Sequence, residues 1–373
     1  MPGLGDTLMN FARYRQQFGA MNGAAKRASL GDDPLIETNG FGSNPGNLVM
    51  RSFVPDLLPP SAPLVVVLHG CTQTAASYDH GAGWSTLARQ FGFAVLFPEQ
   101  QRANNPNLCF NWFLPEDTQR DQGEMLSIRQ MADRMVREHG LDRSRLFVTG
   151  LSAGGAMAGS LLACYPDVFS AGAIIAGLPY GCATNTQEAL TAMFQGGNQT
   201  KRVWGDMVRR ASSHTGPWPR VQVWHGTADT TVKPSNAAEI VKQWLDLHDC
   251  GAEPGIEDAV SGFPHRVWLT GGEPVVEAYS ITGMGHGTPI DPNASDPDDR
   301  CGAPGPHFLE MGISSTAIVA RSWGLLRHRI AEAPVERPAA ARPAASARPA
   351  PGRFDVGAVI TKALRAAGLM AGK

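Results

Sequence analysis

The stretch "RLFVTGLSAGGAMAGSLLACYP", residues 145–166, decides how the chain is built. Leu146 to Val148 form a short apolar run that ends at a glycine, as a buried strand does. From Ala153 the residues are small and apolar, and the run stops before Pro166, as a helix would. One hydroxyl, Ser152, stands at the junction, flanked at two residues' distance by Gly150 and Gly154. Strand, sharp turn and helix form the repeating unit of a parallel sheet.

The same texture continues on both sides. "LVVVLHG" (64–70), "FAVLFPE" (93–99), "AGAIIAG" (171–177), "RVQVWHG" (220–226) and "VVEAYSI" (275–281) read as further strands. Helices are expected over 84–92, 124–140, 153–165, 235–251 and 310–330 from their apolar spacing. Strands alternating with helices give an α/β fold class with a mostly parallel central sheet and helices on both faces. Residues 1–33 read as an N-terminal helical extension, with Leu8, Phe11, Tyr14 and Phe18 near helical spacing, and 34–330 as the main domain. Residues 331–353 are an Ala/Pro/Arg-rich linker carrying Arg337, Arg342, Arg348 and Arg353. Residues 354–373 suggest a short amphipathic helix.

Composition narrows the function classes. With 43% hydrophobic and 18% charged residues, a chain of 373 can bury a large core, which excludes global disorder. A formal net charge of -2 gives no electrostatic case for nucleic acid as a partner. No apolar run reaches the ~18 residues of a membrane span. The N-terminus has no continuous apolar h-region of a secretory signal, so the sequence by itself reads as cytoplasmic. The six cysteines form no CxxC pair, so zinc and thioredoxin-like readings find no support; their even number permits three disulfides.

Gly150-Leu151-Ser152-Ala153-Gly154 fits G-x-S-x-G in the one context that gives it meaning, after a strand and before a helix. A turn this sharp presents the serine at the sheet edge and leaves no room for side chains two residues away. The alternative is a glycine-rich turn whose serine caps the helix. A serine hydroxyl needs a base and an orienting acid to act as a nucleophile. In the arrangement built on this elbow the chain order is serine, acid, histidine. Asp229 follows the strand 220–226, and His286 lies in the glycine-rich loop after the strand 275–281. His307 is the runner-up base, and Asp291 a poorer acid because it follows His286. Acyl transfer also needs two N–H donors for the oxyanion. Ala153 supplies one, and Cys71, in the turn after the strand 64–70, supplies the other. The Cys71 thiol is either free or paired, with Cys109 the candidate partner. "NPNLCFNWF" (105–113) lies in a long loop on the same side of the sheet. It offers Trp112 and Phe113 as walls of an acyl pocket and Asn111 as a donor to the ester; the alternative is that Trp112 only packs its loop down. Pro179 and Tyr180, after the strand 171–177, are further candidates.

"LHGCTQTAASYD", "FPEQ", "CFNWF", "FVTGLSAGGAMA", "YPDVFSAGAIIAGLPYG", "WHGTADTTVKPSN" and "GMGHGTP" together resemble the esterase family of poly(3-hydroxybutyrate) depolymerases, related to feruloyl and acetylxylan esterases. The resemblance covers roughly residues 35–325. It implies an α/β-hydrolase fold, a serine carboxylester hydrolase with a Ser-His-Asp triad, a polyester, oligoester or short acyl ester as substrate, and neither cofactor nor metal. It carries over as Ser152 nucleophile, Asp229 acid, His286 base, and Cys71 and Ala153 as amide donors. The family is largely secreted, and no Ser/Thr-rich linker or polymer-binding domain is recognisable here. The rival readings are a feruloyl or acetylxylan esterase and, from another class, a non-catalytic granule-associated binding protein that makes its surface contact through the C-terminal helix.

Overall fold

The structure, a computed structural model, describes residues 33–329. The expected helical extension at 1–33, the linker at 331–353 and the helix at 354–373 lie, all but Asp33, outside the described residues. In chain order the strands are β1 (Ile36–Thr38), β2 (Val49–Phe53), β3 (Leu64–Leu68), β4 (Ala94–Glu99), β5 (Leu146–Leu151), β6 (Ala171–Ile175), β7 (Arg220–Gly226), β8 (Ile256–Val260), β9 (Phe263–Thr270), β10 (Glu273–Ile281), β11 (Thr288–Ile290) and β12 (Phe308–Glu310). The helices are α1 (Ala75–Ala82), α2 (Trp84–Phe91), α3 (Pro115–Thr118), α4 (Gly123–His139), α5 (Ala153–Cys164), α6 (Thr186–Gln195), α7 (Lys201–Arg209), α8 (Ser235–Leu247) and α9 (Ser315–Ser322).

The main sheet runs β1-β2-β4-β3-β5-β6-β7-β10-β9-β8. Its centre, β4 through β10, is parallel, and the outer pairs at both edges are antiparallel. Alternation along each central strand divides the core between the two faces. Leu64, Val66 and Leu68 of β3 and Leu146 and Val148 of β5 join one apolar cluster with residues of α4, α5 and α8. Val65, Val67, Phe147 and Leu151 join the other, with α1, α2 and α9. Both faces are therefore covered, and the parallel strands read as continuous apolar runs for that reason. Among the described residues no helix is long and apolar enough to cross a membrane.

Three expectations need correction. The helix expected at 310–330 begins only at Ser315, because Gly312 turns the chain with φ 70° after β12, and it ends at Ser322. The helix expected at 235–251 stops at Leu247, before Asp249 takes φ 53°. The even cysteine count yields one disulfide, Cys71–Cys109, while Cys164, Cys182, Cys250 and Cys301 stay unpaired.

Candidate active site

β5 runs into α5 with one residue between them, and that residue is Ser152. Its backbone sits at φ 59°, ψ −118°, a region that costs a non-glycine residue on the order of 1–3 kcal/mol. The surroundings hold it there: the Ser152 N–H donates to the Ile175 carbonyl of β6 at 2.9 Å, and its own carbonyl accepts from Ala156 at 2.9 Å. A Cβ on Gly150 would run into the Gly154 backbone and the Leu68 carbonyl, and one on Gly154 into the carbonyls of Leu68 and His69. The spacing of the two glycines is thus a packing requirement. The Ser152 side chain makes no capping hydrogen bond, unlike Thr74 and Asn185 at the starts of α1 and α6. The residue instead lines a cleft.

The acid and base candidates meet. Asp229 follows β7 and is buried. Its Oδ1 accepts from the Thr231 and Val232 N–H groups at 2.8 and 2.9 Å, and its Oδ2 from His286 Nδ1 at 2.7 Å. Burial pushes the carboxyl up, but the hydrogen bonds from His225 and His286 and their charge outweigh it and hold Asp229 well below the ordinary carboxylate range. With Nδ1–H committed to Asp229, Nε2 is the ring nitrogen His286 has for proton transfer. The two loops are locked: Thr227 and Ala228 donate to the carbonyls of Ile281 and Met284, both at 3.0 Å, and Gly283 donates to Thr227 Oγ1 at 2.9 Å. His307, the runner-up base, packs edge-on to His286 and hydrogen-bonds through Nδ1 to the His286 carbonyl at 3.1 Å. Asp291 accepts from the Asn293 N–H at 3.2 Å.

Ser152, Ala153, Cys71, Trp112 and Phe113 line one cleft of about 170 Å³. Trp112 and Phe113 meet edge to face at 5.3 Å. The Cys71–Cys109 disulfide ties the turn after β3 to the loop before α3, and Thr72 N–H donates to the Asn107 carbonyl at 2.7 Å. His69 braces the same turn: Nδ1 hydrogen-bonds to the Gly70 carbonyl at 2.8 Å and Nε2 accepts from the Gln100 N–H at 3.1 Å. Burial pulls the His69 imidazole down to about 4, against the hydrogen bond to Gly70.

Asn111 and Tyr180 are not among the residues lining the cleft. Asn111 N–H donates to buried Glu124 at 2.9 Å, its amide donates to Asp117 at 3.1 Å, and its Oδ1 accepts from cleft-lining Asn105 at 3.1 Å, so it braces the wall. Burial, and then the Asp117 charge, push the Glu124 carboxyl well above the usual range. Tyr180 exchanges backbone hydrogen bonds with the Gln243 amide at 3.0 and 2.9 Å. Sequence reasoning missed Asn105, Asn107, Leu178, Val232 and the α6 face of Thr186, Ala189, Leu190 and Met193. The α6 face had a signal: Asn185 three residues before Glu188, with apolar residues at helical spacing behind it.

Residues 54–259 match the family described as "Esterase PHB depolymerase". The chain is 47% identical over 294 residues to poly(3-hydroxyalkanoate) depolymerase C of Paucimonas lemoignei, covering 78% of this chain and 70% of that one. It is 34% identical over 262 residues to feruloyl esterase B of Thermothelomyces thermophilus, covering 68% of this chain and 88% of the relative. The solved acetyl xylan esterase from Aspergillus awamori superposes with a TM-score of 0.63 at 28% identity, over 68% of this chain and 93% of that structure.

Proposed function

Because the chain belongs to the PHB-depolymerase esterase family and is a carboxylic ester hydrolase, we propose that Ser152, His286 and Asp229 perform the hydrolysis and that a polyester of short hydroxy acids is the substrate. His286 Nε2 takes the Ser152 proton while Nδ1–H stays on Asp229. Ser152 Oγ adds to the ester carbonyl. The oxyanion accepts from the Cys71 and Ala153 N–H groups, at the N-terminus of α5, where negative charge is favoured. Gly70 and Thr72, on either side of Cys71, have their amides engaged by Gln73 Oε1 and the Asn107 carbonyl. Collapse breaks the C–O bond, and His286 returns the proton to the departing alcohol. Water repeats the sequence on the acyl-enzyme and frees Ser152 and the acid.

The observation that carries this reading is the Ser152 backbone, bent at φ 59°, ψ −118° beside a cleft, with no capping role for the hydroxyl. The polyester assignment draws on two facts. None of the residues lining the cleft is charged, which suits a neutral acyl unit with a compact apolar body. The relative at 47% identity is named a depolymerase of such polymers. The second reading, an acetyl ester on a sugar chain, is favoured by the small cavity and by the acetyl xylan esterase structure. On either reading residues 34–330 are the catalytic unit and the later residues an appendage.

The test is turnover of 3-hydroxybutyrate oligomers, amorphous polymer, p-nitrophenyl acetate and methyl ferulate by one preparation. The highest kcat/KM is expected on the hydroxybutyrate oligomers. A preference for ferulate or acetate would move the substrate and keep the mechanism.

A further inference from the structure

His225 is the next-to-last residue of β7, four positions before Asp229, and it is buried. Its Nε2 lies 3.3 Å from Asp229 Oδ2, the same oxygen that takes His286 Nδ1 at 2.7 Å. It also lies 2.9 Å from the Val232 carbonyl. Its Nδ1 is buried and meets no hydrogen-bonding partner among the described residues. These contacts fix the tautomer. A carbonyl and a carboxylate oxygen both call for a hydrogen on Nε2, whereas a hydrogen on Nδ1 would be buried with nothing to receive it.

We propose that His225 is a positioning residue for ester hydrolysis: its Nε2–H, shared between Val232 and Asp229, aims Asp229 Oδ2 at His286 and tempers the basicity of the acid–base pair. The inference rests on the reading of Asp229 and His286 as acid and base. Thr231 and Val232 already hold Oδ1. Oδ2 is the oxygen that faces the base, and a second donor there spreads its charge. The effect has a sign. A donor on Oδ2 weakens the pull of Asp229 on the His286 proton. Without it the carboxylate binds the imidazolium more tightly, and the acid limb of the pH–rate profile moves to higher pH. His307 also faces His286, through its carbonyl and ring, and is unchanged in every variant below.

The same ring steadies Val232, which lines the cleft. A purely structural role would therefore surface in KM or in the melting temperature and leave the acid limb in place.

The experiment is kcat/KM against pH on p-nitrophenyl acetate for the full chain and for His225→Leu, His225→Asn and His225→Gln. Leu has no donor, and Asn is too short to place one at Nε2; Gln can reach it. In the Leu and Asn variants the acid limb is expected to rise by about half a pH unit or more, with the plateau rate lowered about tenfold. In Gln both return toward wild type. An acid limb at its wild-type pH in Leu and Asn overturns the inference, whatever happens to KM. A second readout needs no variant: 15N spectra of the histidine-labelled wild type are expected to place the His225 hydrogen on Nε2, and a hydrogen on Nδ1 overturns the proposal as surely. Ser152→Ala and Asp229→Asn run alongside. If those two turn over like wild type, the acid–base reading itself has failed. If they are inactive while the His225 variants keep the wild-type limb, only this inference has.

Discussion

At Ser152 the chain accepts a backbone that a glycine would adopt freely, and two substitutions separate the strain from the chemistry. Ser152→Ala keeps the strain and loses the hydroxyl; Ser152→Gly loses both. Both are expected to lose turnover by several orders of magnitude. In urea unfolding the Gly variant is expected to be the more stable of the two by about 1 kcal/mol, the strain relieved less the extra freedom of glycine when unfolded. Equal stability would mean that the strain at the elbow is no larger than the cost of glycine's extra freedom when unfolded, about 0.4–1 kcal/mol. Asp229→Asn is expected to lower kcat on the order of 10⁴-fold, because an amide can stabilise the wrong imidazole tautomer. Asp229 is held well below its ordinary range, so its hydrogen bonds contribute fully above about pH 4 and progressively less as the pH falls below that. The gap in melting temperature between wild type and Asp229→Asn is therefore expected to narrow from pH 6 toward pH 3. At this scale the sequence was most legible. The elbow is local, and its glycines announce it. Asp229 and His286 could be singled out as candidates from chain order because each follows a recognisable strand, and they lie 2.7 Å apart. For Asn111 the sequence left the direction open: a polar side chain in that loop can face the cleft or bond to neighbours such as Asn105 and Asp117, and only packing decides.

Among the elements, the central strands and the helices around the elbow could be read because burial on two faces forces continuous apolar runs. β8 and β9 could not. β8, "IEDAV", is almost wholly exposed at the sheet edge, so it carries charge where a core strand carries valine. His265 of β9 ties this edge together, with Nδ1 2.8 Å from Asp258 of β8 and Nε2 3.1 Å from Glu277 of β10. Burial pulls this imidazole down, but the hydrogen bonds to Glu277 and Asp258 outweigh it and raise its pKa. A raised histidine contributes fully below about pH 6.5 and loses that contribution as the pH climbs through its folded value. His265→Leu is therefore expected to cost more stability at pH 6 than at pH 9. The difference should be modest, about 0.5–1 kcal/mol, since Asp258 is half-exposed and screened. A pH-independent cost, read by urea unfolding at the two pH values, would assign the residue to packing with Tyr279 instead. The α6 wall went unread for another reason: its apolar face serves the cleft, and nothing in a ten-residue helix says what it faces.

For the molecule as a whole, one sheet with two covered faces sets the loops after β3, β5, β7 and β10 along its C-terminal edge, so residues as far apart as 71 and 286 lie on loops of one edge. The Cys71–Cys109 disulfide joins positions 38 apart in sequence. Replacing both cysteines by serine is expected to cost about 2–4 kcal/mol in unfolding experiments. Every candidate site residue lies within 33–329, so a chain shortened after residue 330 is expected to keep its turnover of soluble esters; loss of turnover in a folded truncation would make the later residues part of the site. With Ser152 as the nucleophile, the ester passes through a covalent bond to its Oγ. The most direct test is to quench the enzyme during turnover of a p-nitrophenyl ester and map the acylated peptide by mass spectrometry, in wild type and in Ser152→Ala. One acyl group is expected on the peptide carrying Ser152, and none in the variant. Acylation at another residue, or wild-type turnover by Ser152→Ala, would contradict that role for Ser152.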